Sequence, residues 1–149
     1  MLAPPDLTGK FKHAIKAILN LGYLFPERLP FTIDYEPLAL GRTITRDGIT
    51  ISPYPTSHLA GMTDFAAAHG YPNRGECFAM YIKAGKTAIV YSADLGSLDD
   101  LNAIEGTIDW LLIESTHIAL DQLWSWAEER GVRRIILTHI ADVLQAFFA

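Results

Sequence analysis

Only one cysteine, Cys77, occurs in the 149 residues. That excludes an internal disulfide framework and fits a reducing compartment, so a cytoplasmic location is expected. Long apolar runs are missing too. No stretch approaches the roughly 18 residues needed to span a membrane, and the opening MLAPPDLTGKFKH lacks the apolar stretch of a signal peptide. Positive charge is scarce, with 12 Lys+Arg against 17 Asp+Glu and a formal net charge of -5 at pH 7. With no Lys/Arg cluster, charge gives no support to a nucleic-acid partner. Repeats, linkers and low-complexity segments are absent. What is present is a half-apolar chain, at 50% hydrophobic residues, which is enough to build a core. The length corresponds to a single domain, residues 1–149.

Local patterns place the elements. A first helix is expected from Gly9 to about Leu21, with Phe11, Ile15, Ile18 and Leu19 on one face and Gly22 as its stop. RTIT and ITISPYP flank Asp47-Gly48, a strong hairpin signal. CFAMYIKAGKTAIVYS predicts a second hairpin turning near Ala84-Gly85. Beyond Tyr91 helix and strand alternate. Ser97 and Asp100 form a capping-box pattern for a short helix running to about Ile104. IDWLLIE and RRIILTH are expected buried strands. Between them Leu120, Leu123, Trp124 and Ala127 make a helical face ended by Gly131, and a last helix is expected after His139. A meander followed by β-α-β-α implies a mixed α/β protein.

Four apolar strands each run into a residue able to bind metal or move a proton. ITISPYPTSH ends at His58, TAIVYSAD at Asp94, IDWLLIE at Glu114 and IILTH at His139. Ligands of α/β sheets bind beyond the carboxyl ends of strands, so side-by-side strands would bring the four to one rim. Histidine and carboxylate suit zinc and other first-row metals. Taken singly, each residue has a plain alternative. A histidine after a strand is often a loop or capping residue, Asp94 can be a turn residue before Gly96, and Glu114 can pair with Arg133 or Arg134. His13 falls on a Lys-rich helix and His69 in a loop, while the role of His117 stays open. Cys77 reads as a small core residue at a strand start. Trp110, Trp124 and Trp126 read as packing residues or as the surface of a half-sandwich.

The succession PTSH, YSAD, LLIESTH, LTH resembles the second half of the metallo-β-lactamase fold. The matching stretch runs from about Lys10 onward. His58 stands at the family's third metal motif, Asp94 at the aspartate of a segment usually written YSGD, and His139 at the fifth motif. Ala93 replaces the usual glycine. Glu114-Ser115-Thr116 resembles the E-[AS]-T stretch of the branch containing the tRNA 3′-processing endonucleases (RNase Z) and related phosphodiesterases. The family's H-x-H-x-D-H cluster does not occur in the sequence. The resemblance implies a partial four-layer αββα sandwich, in this chain a mixed sheet with helices on one side.

It also implies a metal-dependent hydrolase acting on a phosphodiester or other ester. Zinc is the expected metal, with manganese or iron as substitutes. Asp94 would bridge two ions, and His58 and His139 would be the terminal ligands. Glu114 would orient a histidine or pass a proton, so Asp94 and Glu114 are the expected catalytic residues. Each ion would keep Asp94 and one histidine, below the three protein ligands of a usual catalytic zinc. The two-metal site is thus expected to be incomplete, and the isolated chain weakly active. The expected partners are a phosphodiester or other small-molecule substrate, and a second copy or a chain corresponding to the missing first half. Two other classes stay open: a non-catalytic binding subunit that pairs with a chain supplying ligands, and an inactive truncated domain.

Overall fold

The computed structural model describes residues 2–3, 8–21, 30–32, 34, 36–71 and 75–140. A short strand β1 (Leu2–Ala3) pairs in parallel with β2 (Glu36–Pro37), and helix α1 (Thr8–Leu21) lies between them in sequence. The apolar face expected on α1 is not buried at Ile18, which is 61% exposed.

Six further strands form one sheet in chain order: β3 (Ile44–Arg46), β4 (Ile49–Pro55), β5 (Phe78–Ala84), β6 (Thr87–Tyr91), β7 (Trp110–Glu114) and β8 (Ile135–Thr138). The β3–β4 hairpin turns through Asp47 and Gly48 at φ 49 and 77, the paired positive values that a two-residue hairpin loop demands. The β5–β6 hairpin closes at the Ala84–Thr87 pair with Gly85 at φ 59. After β6 the pairing becomes parallel, β6 with β7 and β7 with β8, and each needs a crossover. The first crossover contains a single 3-10 turn (Leu98–Leu101), and the second contains α3 (Leu120–Glu129). The segment after Ser97 is therefore shorter and tighter than expected. Its capping pattern is nevertheless present: Ser97 Oγ accepts from the Asp99 N–H at 3.0 Å, and Asp100 Oδ2 accepts from the Ser97 N–H at 3.3 Å. Residues 141–149, where a last helix was expected, lie outside the described residues.

Strand alternation puts the core on one face of the sheet. Ala79 and Tyr81 of β5, Ala88 and Val90 of β6, and Leu111 and Ile113 of β7 join Leu95, Leu101, Ile104, Ile108, Ile118 and Leu123 in one buried cluster. Helix α3 covers this face with Leu123 and Ala127, one turn apart. Trp124 lies off that stripe and is 53% exposed, contrary to the expected face. Trp126 is half-buried, and its Nε1 donates to Asn102 Oδ1 at 3.0 Å. The other face carries Met80, Ile82, Ile89, Tyr91, Leu112 and Ile136 across neighbouring strands, and none of them is buried.

Direction matters most for the site. Strand β4 is antiparallel to β5, and β5 to β6, so β4 points the same way as β6, β7 and β8. The carboxyl ends of these four strands share one edge of the sheet.

Candidate functional site

At that edge the four strand-end residues come together, joined by His117. Asp94 follows β6, and its Oδ1 lies 3.1 Å from His139 Nδ1 beyond β8. Glu114, the last residue of β7, is 1% exposed. Its Oε1 lies 3.0 Å from His117 Nδ1. The His117 ring meets His58 edge-on at 4.9 Å between centroids and His139 at 5.8 Å. Ligand atoms of Glu114, His117 and His139 fall within 4.8 Å of one another. The sequence pattern had left His117 without a role. Its signal was the spacing Glu114-x-x-His117 just past a strand end, where a tight turn folds the ring back over the carboxylate.

Glu114 does not pair with either arginine. Arg133 binds Asp109 at 2.8 Å, and the Arg134 guanidinium lies 4.6 Å from the centre of the Trp110 ring. Instead, the buried carboxylate is held by local donors. Oε2 accepts from the N–H groups of Thr116 (2.7 Å) and His117 (2.9 Å), and Oε1 accepts from Leu95 N–H at 3.4 Å. These bonds replace the water that burial removes. The backbone of Glu114 is fixed as well, its N–H donating to Ser92 Oγ at 3.1 Å. Between the two residues Thr116 donates its hydroxyl to the carbonyl of His139, tying the loop after β7 to the end of β8.

A second set of bonds fixes the loop that bears His58. Asp100 Oδ2 accepts from Ser57 N–H (3.0 Å), Ser57 Oγ (3.2 Å) and Gly96 N–H (3.0 Å), besides Ser97. Burial works against this charge, but the bonds from Ser57, Gly96 and Ser97 outweigh it and hold the carboxyl below its ordinary value of 3.8. Thr56 Oγ1 also donates to the Asp94 carbonyl at 3.0 Å. Gly96 is required by contact: a Cβ there would sit 2.2 Å from Ser57 Oγ and 2.9 Å from the Ser57 carbonyl carbon. The loops after β4 and β6 thus close on each other with no room for a side chain.

Two rim residues adopt the left-handed region without being glycine: Ala93 at φ 50 and His139 at φ 46. Such strain persists only where surrounding contacts hold it. At His139 those contacts are the bonds from Thr116 and to Asp94.

The remaining candidates stand apart. His69 Nδ1 bonds to the Phe65 carbonyl at 2.8 Å on helix α2 (Thr63–Ala68), and His13 is exposed on α1. Cys77 is half-buried one residue before β5. Burial pushes its thiol up from 9.0, and the nearby carboxylates of Asp94 and Asp100 push the same way.

The donor set suits a borderline metal. It contains three imidazoles, and the Nδ1 of His117 contacts the buried Glu114 carboxylate. A carboxylate on one ring nitrogen fixes the tautomer and leaves the other nitrogen as a lone-pair donor.

Comparison with known proteins agrees with this architecture. A sequence model described as the beta-lactamase superfamily domain matches residues 12–140. None of the curated proteins matches the chain. Among solved structures, human tRNase Z, short form, aligns over 96% of this chain and 60% of its own, at 14% identity and a TM-score of 0.57. The metallo-beta-lactamase fold protein YhfI from Bacillus subtilis aligns over 76% of this chain and 46% of its own, at 22% identity and a TM-score of 0.52. Zn(2+)-bound PqqB from Methylobacterium extorquens aligns over 93% and 50%, at 16% identity and a TM-score of 0.52. The chain therefore spans 46% to 60% of the lengths of these structures. Matched along most of its length and sharing this sheet, the chain belongs to the beta-lactamase superfamily domain family and has the metallo-β-lactamase fold.

Proposed function

We propose that the rim is the metal-binding half of a hydrolase acting on a phosphodiester or other ester, with His58, Asp94 and His139 as ligands of zinc or a similar divalent metal. The observation that carries this reading is the approach of Asp94 Oδ1 to His139 Nδ1 at 3.1 Å. Two atoms bound tetrahedrally to one zinc at about 2.0–2.1 Å lie roughly 3.3 Å apart, so the pair needs little movement to share an ion. A bound metal would supply Lewis acidity and a nucleophile from water at neutral pH. The chain's own residues do the rest. Asp94 and His139 hold one side of the rim, Asp100 and Gly96 hold the His58 loop against it, and Glu114 orients the His117 ring. The Glu114-Ser115-Thr116 stretch and the likeness to a tRNase Z fold favour a phosphodiester. The net charge of -5 weighs against a long nucleic acid held by this chain alone.

Hydrolysis of bis(p-nitrophenyl) phosphate with added zinc or manganese tests the reading. Slow turnover that chelator abolishes, and that Asp94→Ala lowers at least tenfold, is expected. Turnover indifferent to chelator and to Asp94→Ala would contradict it.

A second reading is favoured by the unburied apolar sheet face: the chain acts as one half of a paired assembly whose other layer supplies the remaining ligands. Activity that appears only with a complementary chain would distinguish it.

A further inference from the structure

We infer that His117 is itself a metal ligand, sharing one ion with His139 inside this chain. The inference rests on the metal-binding reading above and deepens it. Carried over from the family pattern, each ion would keep two protein ligands, His58 or His139 with Asp94. The structure adds a third imidazole to the His139 side. Ligand atoms of His117 and His139 lie within 4.8 Å, and their rings are 5.8 Å apart between centroids. Two imidazoles on one tetrahedral zinc have centroids about 5 Å apart, given Zn–N bonds of about 2.0–2.1 Å. Closing the difference takes a shift of under an ångström in side chains that are 38% and 54% exposed, and so have room to move.

The surroundings of His117 are those of a ligand. Its Nδ1 contacts the buried Glu114 carboxylate at 3.0 Å, which leaves Nε2 as the nitrogen available to an ion. Glu114 is unsuited to be the ligand itself. Both of its oxygens already accept backbone N–H groups, from Leu95, Thr116 and His117, and it is 1% exposed. It is a positioning residue for His117. The Thr116 hydroxyl bonds to the His139 carbonyl, so the same loop that carries His117 fixes the height of His139. His117 and His139 then supply two imidazoles to one ion, and Asp94, 3.1 Å from His139, is the carboxylate beside them. His58, edge-on to His117, stands on the side where a second ion would need ligands from elsewhere.

Cobalt(II) titration of the purified chain, followed by its visible absorption, tests this without reference to turnover. One equivalent per chain with the intense bands of a four-coordinate site is expected. His117→Ala should weaken binding at least tenfold and change the band shape. Glu114→Gln should weaken it about 10–100-fold, the usual effect of losing a carboxylate behind a histidine ligand. His117 is exposed, so His117→Ala should leave the far-UV circular dichroism unchanged even if Glu114→Gln fails to fold. Cobalt binding lost in Asp94→Ala and His139→Ala but unaltered in His117→Ala would overturn the inference and leave the metal-binding reading standing. No cobalt bound by the parent chain would overturn both.

Discussion

Ala93 occupies a backbone conformation, φ 50, that costs a non-glycine residue about 1–2 kcal/mol. The family segment usually has glycine there, and the structure gives the physical reason: the chain must turn sharply after Tyr91 to bring Asp94 over the edge of β8. Glycine also loosens the unfolded chain, which offsets about 0.4–1 kcal/mol of the gain. Ala93→Gly should therefore stabilise the protein by about 0.5–1 kcal/mol in urea unfolding. Lower stability in the variant would show that the turn is not strained. Asp100 is the second residue with a measurable signature. Its carboxyl is held below 3.8 in the folded protein by the Ser57, Gly96 and Ser97 bonds, against the opposing pull of burial. A depressed carboxylate stabilises fully above its unfolded value and loses that contribution as pH falls through its folded value. The stability gap between the parent and Asp100→Asn should thus be constant near neutral pH and shrink only below pH 3.8. Urea unfolding at a series of pH values measures it, and a gap independent of pH would contradict the assignment.

Among the elements, the two turns flanking the His58 and Asp94 loops separate cap energetics from close contact. Ser97→Ala removes one capping bond and should cost ~1 kcal/mol. Gly96→Ala instead drives a Cβ to 2.2 Å from Ser57 Oγ and 3.1 Å from the His58 nitrogen, where backbone has to yield. It should cost about 1–3 kcal/mol and displace His58, visible as a shift of its imidazole NMR signals. Equal losses with an unmoved His58 would argue against this contact. These strands and hairpins were legible because each signal is local: Asp47-Gly48 specifies its turn, and TAIVY, WLLIE and IILT are continuous apolar runs. The β1–β2 pair was not legible, since two residues per strand carry no periodicity. The 3-10 turn after Ser97 was misread as a longer helix because one capped turn begins like an α-helix and stops at Leu101. Trp124 was placed inside because Leu123 and Ala127 alone fill the stripe under α3, which pattern counting does not reveal.

At the scale of the whole molecule, convergence was legible for His58, Asp94, Glu114 and His139, because four like-directed strands end in them. The role of His117 was not, since it depends on a turn after β7 and on the distance between β7 and β8. The sheet's second face has the largest physical consequence. Ile136 is exposed on it and Met80, Ile82, Ile89 and Leu112 are half-buried, and covering a few hundred Å² of such surface is worth several kcal/mol, at about 25 cal/mol per Å². Light scattering at micromolar concentration should show self-association or aggregation, relieved when a complementary layer is supplied. A monomer that binds no hydrophobic dye would contradict an open face. Zinc equilibrium dialysis of the parent chain and of Asp94→Ala tests whether the strand ends form a metal-binding rim. At most one zinc is expected per parent chain, with loss of that zinc in Asp94→Ala. Two tightly held ions per chain, or zinc retained equally by Asp94→Ala, would contradict it.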